Sequence, residues 1–332
     1  MATIQTRRPV ARTWSLRAHP WLYFVSRRTG RLLASLAVLV TAAFLMIHLI
    51  PGDPVRSSLG LDAPASLVES RRHELGLDDP LWRQYLDYLG RLVHGDLGRS
   101  LLTGNPVSST VRDRLPATVQ IAAISFVLVI AIAIPLGLVA AVRTRGGRRR
   151  GLDLGFASVT SLAAAVPEFL LAVGLVYVFA VRLGWAPVAG HAGLSSYVLP
   201  VVALSLGPAG ALARIVRVEV NAVLDQDYIR TARAKRLPDR LIYLRHALPN
   251  ALTATLTLGG LLLMGLIAGS VLVENVFAWP GLGSTIVQSI LNKDYPVVQA
   301  VVLVYGVGVL LANLVVDVLL AVLDPRSTIR TA

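Results

Sequence analysis

Cysteine is absent from the 332-residue chain, which excludes a disulfide framework and any thiolate-held metal. Charge is scarce: 15% of residues are Asp, Glu, Lys or Arg, against 55% hydrophobic. That balance belongs to a chain that meets lipid on several helices rather than to a water-soluble domain. Only two lysines occur, Lys235 and Lys293, and they follow Ala234 and Asn292. The Gly-Lys-Ser/Thr of a phosphate-binding loop is therefore missing, and the chain carries no ATPase site of its own. His48, His73, His94, His191 and His246 stand singly with no HExxH-type pair, so no residue is assigned to a metal or to catalysis. Gly95-Asp96-Leu97-Gly98 is read as a tight turn because no Gly-Lys follows it.

What the sequence has in quantity is long apolar runs. Behind a basic tail (1–31) with seven arginines, Leu32 to Ile50 approaches the roughly 20 residues that a bilayer demands, without the small-residue cleavage site of a signal peptide. It is read as a retained first span. Residues 51–116 are polar, with nine acidic and eight basic side chains, and form a small insertion. Within it, Asp79-Pro80 starts a helix with the stripe Leu81, Tyr85, Tyr88 and Leu92, and Gly95 stops it. Four more spans are expected in the remaining core (117–323) before a kinked third is counted: Ala117–Val142, Tyr197–Ala213, Ala251–Val276 and Val297–Leu323. The third, Leu154–Val181, contains Pro167 and Glu168. The fourth is expected to be short, broken by Pro200, Gly207, Pro208 and Gly210. Trp279 and Tyr295, in the connection between the last two spans, suit a membrane boundary.

The formal charge of +13 raises nucleic acid as a partner, but membrane sidedness explains it better. Of the 32 basic residues, 22 fall in the tail, the Arg143–Arg150 loop, the stretch 214–245 and the end 324–332. Eight of the other ten lie in the long insertion, where the positive-inside rule carries little weight. The consistent topology is an all-α, six-span membrane protein with both ends inside and the insertion outside.

Three acids fall at membrane depth, where burying charge is costly and a pathway role is the default hypothesis. Glu168 lies near mid-span beside a proline kink and favours a cargo with a cationic group. Glu274, near the outer boundary, could equally reach headgroups, and Asp317, near the inner end, could pair with an arginine.

One charged segment separates the fourth and fifth spans, Asp227 to Pro249 within the loop 224–249. Leu224, Tyr228 and Ala232 recur at i, i+4 on one side of a short helix, with Arg230, Arg233 and Arg236 pointing elsewhere. Pro238-Asp239 restarts the chain, and Leu241, Leu244 and Leu248 set a second stripe before Pro249. Read alone, this is a basic hairpin with its arginines against anionic lipid, each worth roughly 1 kcal/mol.

The segment resembles the EAA loop of ABC importer permeases. Arg230, Thr231 and Ala232 stand at the Glu-Ala-Ala positions, Arg236 at the glycine position, and His246 to Pro249 at the closing Leu-Pro. The wording Arg-Thr-Ala-Arg-Ala-Lys is that of the dipeptide, oligopeptide and nickel permease branch. Ile50-Pro51-Gly52-Asp53-Pro54, Trp279-Pro280-Gly281-Leu282-Gly283, Asp294-Tyr295-Pro296 and Asp324-Pro325-Arg326 are similar to that branch at matching places. The insertion resembles its first-listed permease subunit.

The resemblance implies a type I importer permease fold and a helix at 224–249 that couples to the ATPases, with Tyr228, Arg230, Thr231, Ala232, Arg233, Arg236, Leu248 and Pro249 in it. It also implies a second permease, two cytoplasmic ATPase subunits that bind ATP and magnesium, and an external binding protein. A left-handed turn at Arg236 would cost roughly 1 to 2 kcal/mol, so a rebuilt turn is expected. The alternative is an ion-coupled secondary transporter, which predicts inverted repeats and convergent buried acids.

Overall fold

The computed structural model describes residues 20–49, 55–56, 63–74, 76–147, 149–191 and 193–323. The first nineteen residues of the tail, the Pro51-Gly52-Asp53-Pro54 segment and the Asp324-Pro325-Arg326 ending lie outside them. Among the described residues regular structure is helical, apart from an isolated bridge between Arg99 and Pro106. Chain order is α1 (Pro20–Leu49), α2 (Ala65–Glu74), α3 (Leu81–Val93), α4 (Val107–Thr144), α5 (Arg150–Ala165) and α6 (Glu168–Leu175), which a π-helical turn continues over Val176–Arg182. Then come α7 (Ser195–Leu224), α8 (Asp227–Ala234), α9 (Asp239–Leu241, continued π-helically over Ile242–Ala247), α10 (Leu248–Val276), α11 (Leu282–Leu291) and α12 (Tyr295–Leu323). Parts of α1, α4, α7, α10 and α12 are long and apolar enough to cross a membrane, and the pair α5–α6, bent by 94°, makes a sixth span if counted as one.

The bend has a local cause. Pro167 lacks an N–H and its ring drives the preceding residue out of the helical region; Val166 sits at φ −77°, ψ 121°. Elsewhere prolines do not break helices. Pro116 lies inside α4, which starts at Val107, so ten residues assigned to the insertion are helical. The expected short fourth span is instead the 30-residue α7, which runs unbroken through Pro200 and Pro208 to Leu224. Tertiary packing overrides propensity here.

That packing makes α7 the axis of the bundle, held against α4, α5, α6 and α10. Leu204, Leu212, Ala213, Val216 and Val220 are buried along its length. Backbones approach closely through small residues, as expected where lipid supplies no hydrophobic drive between helices. A Cβ on Gly137 of α4 would lie 2.6 Å from the Ala213 carbonyl oxygen, and one on Gly210 would lie 2.9 Å from that of Thr160.

At one end of the bundle α3 packs on α1. Tyr85, Tyr88, Leu89 and Leu92 meet Val40, Ala43 and Phe44, and the Tyr85 hydroxyl is 2.8 Å from Thr41 Oγ1. Leu81, expected in this stripe, is exposed. Gly95 (φ 73°) ends α3, with the Asp96 amide donating to the Arg91 carbonyl at 2.9 Å. The following loop is fastened to the start of α12, where the buried Asp294 carboxylate accepts from Ser100 Oγ at 2.5 Å and from the Leu101 amide at 3.0 Å.

Gly137→Ala should lower the stability of the full-length protein by about 1–3 kcal/mol through overpacking, read as an earlier unfolding midpoint in detergent. Gly174→Ala, where an added Cβ meets nothing within 4 Å, should leave the midpoint in place. Equal midpoints for both would show that the α4–α7 approach is not the tight contact described.

Candidate functional site

At the opposite end, α7 runs into the two short helices. The Arg145 guanidinium, just past α4, donates to the Leu224 carbonyl at 3.0 Å and pairs with Asp225 at 2.5 Å, which ties the end of α4 to the end of α7. Gln226 is extended and α8 begins at Asp227, an acid favoured by the helix dipole in the first turn.

The faces of α8 differ from the expected ones. Ile229 and Ala232 turn inward and are buried, whereas Tyr228 is 44% exposed. The inward pair is spaced i, i+3 rather than i, i+4. Partial burial raises the Tyr228 phenol above its ordinary value, with the Asn250 side chain pulling the other way, so Tyr228 stays neutral. Arg230, Thr231, Arg233 and Arg236 share the exposed side with it. Asp227 pairs with Arg230 at 3.2 Å with both side chains exposed, a contact worth little in water.

Beyond α8 the expected rebuilt turn is not found. Arg236 takes φ 57°. The Arg236 amide donates to the Arg233 carbonyl at 2.8 Å and the Leu237 amide to that of Ala232 at 3.3 Å, the Schellman pattern normally built on glycine. Leu237 packs into the main core, and this anchor holds arginine in the left-handed region.

The second stripe also moves. Leu244 is exposed, Leu241 and Leu248 are half-buried, and the buried positions are Ile242 and Ala247, five apart. A π-helical stretch over Ile242–Ala247 brings residues at that spacing onto one side. Pro249 stands exposed at the start of α10.

The three membrane acids occupy separate environments. Glu168 opens α6 directly after the bend, half-buried. Its carboxylate lies against Gly269 of α10, where an added Cβ would collide with it. Glu274 does not reach toward headgroups: it is fully buried in the last turn of α10. Its Oε2 accepts from the amides of Gly283 at 2.6 Å and Ser284 at 3.2 Å, while Thr118 Oγ1 of α4 accepts from the Leu282 amide at 2.8 Å. The first amides of α11 are thus capped by side chains of two other helices, satisfying donors that the helix cannot satisfy itself. Asp317 pairs with Arg28 and links α12 to α1.

Gly269 and Glu274 are five residues apart on α10, about 140° around its axis, and Asp317 lies at the far end. The structure therefore does not gather the acids. Trp279, in the connection between α10 and α11, turns into the protein. It is fully buried, its Nε1 donates to the Ala117 carbonyl at 3.1 Å, and its ring stands edge-on to Tyr197 and His191 with centroids 4.7 Å from each.

Two residues that matter for this end of the molecule were not singled out from sequence. Ile229 was overlooked in favour of Tyr228, although its i, i+3 spacing to Ala232 was there to be read. Arg145 was counted only as one basic residue of a loop, and its role depends on a partner 80 positions away.

Comparison with known proteins decides the family. Residues 133–329 match the binding-protein-dependent transport system inner membrane component, and residues 21–122 match the N-terminal region of such membrane components. The chain belongs to this family. It is 37% identical over 305 residues to the glutathione transport system permease protein of Escherichia coli, covering 92% of this chain and 98% of that one. It is 40% identical over 310 residues to a Brucella suis protein provisionally named as a peptide transport system permease, covering 91% and 98%.

An inward-facing structure of the MetNI methionine ABC transporter shares the fold, with TM-score 0.56, 21% identity, and coverage of 64% of this chain and 96% of that one. The molecule is thus a multi-pass permease of the peptide branch of ABC importers, with the type I fold. As a transport subunit, it works with ATPase and substrate-binding partners.

The Arg236 turn gives a direct test. Arg236→Gly relieves about 1–2 kcal/mol of left-handed strain and loses about half of that to unfolded-state entropy. The Leu237 amide should exchange roughly two- to fivefold more slowly, with Arg236→Val shifting it the other way. Unchanged exchange in both variants would mean that residue 236 is not held left-handed.

Proposed function

We propose that this permease, paired with a second permease subunit, forms the ATP-driven pathway by which peptides, or a related small polar solute or metal chelate, enter a bacterium. Relatives named for glutathione and for peptides support small peptides as cargo. ATP and magnesium bind on two cytoplasmic ATPase subunits, and an extracytoplasmic binding protein delivers the cargo. Residues 1–31, 224–249 and 324–332 face the cytoplasm and residues 51–116 the outside, a reading supported by the distribution of basic residues.

The observation that carries the proposal is the α8–α9 element. It presents Tyr228, Arg230, Thr231 and Arg233 outward while Ile229, Ala232 and Ile242 root it in the core, and Arg145 fixes its base to α4 and α7. ATP-driven closure of the ATPases would push on a piece that cannot move without α7. Because α7 packs on α4, α5, α6 and α10, the push becomes a rigid-body rocking of spans between outward- and inward-open states.

Tyr228→Asp places charge on the outer face without touching the root. In liposomes holding both permeases and the ATPases, uptake and cargo-stimulated hydrolysis should fall at least tenfold while the protein still inserts. A single cysteine at Thr231, unique in a cysteine-free chain, should cross-link to an ATPase subunit. Uptake that persists without ATP would instead identify an ion-coupled carrier and overturn the proposal.

Glu168, on a bend and bound to no described side chain, is the pathway acid in this reading; Glu274 and Asp317 hold helices in register. Glu168→Gln should reduce uptake of a peptide with a free ammonium group about tenfold and leave its N-acetylated analogue unchanged. Equal uptake of both by the variant and the parent would remove Glu168 from the pathway.

A further inference from the structure

Several cations on the bundle are partnered: Arg28 with Asp317, Arg145 with Asp225, Arg217 with Asp153, and Arg214 with the Ser161 hydroxyl at 2.9 Å; Arg143, Arg149 and Arg150, around the α4–α5 turn, are exposed. On the α8–α9 element, Arg233, Lys235, Arg236, Arg240 and Arg245 are all exposed, and none has a carboxylate partner among the described residues. Of the nearby acids, Asp225 and Asp227 are taken by Arg145 and Arg230, and Asp239 starts α9.

Anionic lipid is the weaker partner for these five. On α7 the polar level begins at Arg214 and Arg217, whose partners Ser161 and Asp153 are on α5. From Arg214 to Leu224 the helix rises a further 15 Å or so, about 14 Å at an average tilt of 20°. Anionic headgroups act over roughly a Debye length, about 8 Å at physiological ionic strength. Leu224, from which the α8–α9 element departs, lies farther than that from Arg214 along α7. An apolar groove does not suit them either, because guanidinium groups buried without counter-charges lose their hydration uncompensated.

We infer that the surface receiving α8–α9 on the ATPase partner is an acidic cleft, which pairs carboxylates with Arg233, Lys235, Arg236, Arg240 and Arg245 around Tyr228 as the central anchor. The inference rests on the docking role proposed for this element and adds the chemistry of its partner. Complementary charge of this kind sets partner choice and speeds association. The inward face of α8 contributes to holding the element on the permease rather than to docking.

The test uses the full transporter, purified with its ATPase subunits and placed in nanodiscs of zwitterionic phosphatidylcholine. ATPase retention is measured against sodium chloride for the parent, the double variant Arg233→Glu with Lys235→Glu, the charge-keeping pair Arg233→Lys with Lys235→Arg, and a variant with residues 227–237 replaced by a Gly-Ser linker. The acidic cleft predicts that the charge-reversed variant binds the ATPase at least tenfold more weakly at 150 mM salt and with a flatter salt dependence, while the charge-keeping pair stays within twofold of the parent.

Retention by the charge-reversed variant equal to the parent, with loss in the linker variant, would overturn the acidic cleft and leave docking intact. Retention by the linker variant would overturn docking itself. A defect that appears only when phosphatidylglycerol is added would assign the cations to lipid and also overturn the cleft.

Discussion

Close backbone contact around α7 is the constraint on which the rest of this permease depends. In hydrocarbon, apolar side chains gain nothing by leaving lipid for one another, so helices associate through fit and through polar contacts. Gly137 and Gly210 let α4 and α5 approach α7 until main-chain oxygen limits them. This fit explains how a helix with two internal prolines stays continuous and why its end is a firm base for α8. A looser axis would absorb a push at Asp227 locally. A close-packed one transmits it, because packed interfaces slide or rock as units rather than deform.

The polar contacts finish what the fit begins, and they sit at the two ends of the bundle. Arg28–Asp317 and Arg145–Asp225 close one end. Glu274, Thr118 and the Trp279 indole close the other by capping and seating α11. Between them the bent pair α5–α6 leaves Glu168 beside α10 with its carboxylate uncommitted. The acids at the ends are taken up by contacts between helices, and no described side chain bonds the one at the bend.

Much of the architecture was legible in the sequence because it follows from lengths and gross pattern. Runs near 20 apolar residues gave the spans, the bend at Pro167 followed from what proline forbids, and the restart at Pro238-Asp239 was read correctly. The misreadings share a cause. Pro200 and Pro208 were taken as breaks because local propensity says so, yet neighbouring helices hold the chain helical through them. Tyr228 was put on one stripe with Ala232, and Leu244 on one with Leu248, by an i, i+4 count. A shift of one residue in α8 and a π-helical stretch after α9 turned other residues inward, and neither can be seen without the surfaces they pack on. The capping of α11 by Glu274 and the clamp by Arg145 join residues far apart in the chain, which no local pattern reveals.

The helix ends make the same point in energetic terms. α3 stops at Gly95, the residue that a sequence reader expects at a left-handed position. α8, α10 and α11 stop at Arg236, Ala278 and Lys293, with φ of 57°, 46° and 59°, and each such residue costs of order 1 kcal/mol or more. In all three the next residue is an anchor: Leu237 packs into the core, Trp279 is fully buried, and Asp294 is buried against Ser100 and the Leu101 amide. Their amides close the turns onto the carbonyls of Ala232, Glu274 and Ser289. Fully burying a large apolar side chain such as Trp279 returns about 1.5–3 kcal/mol and the half-buried Leu237 a part of that, while Asp294 is held by hydrogen bonds to its carboxylate; these contacts offset the strained residue before each. These helices end where the following side chain has somewhere to go, so the stop signal lies in the fold and not in the residue that turns.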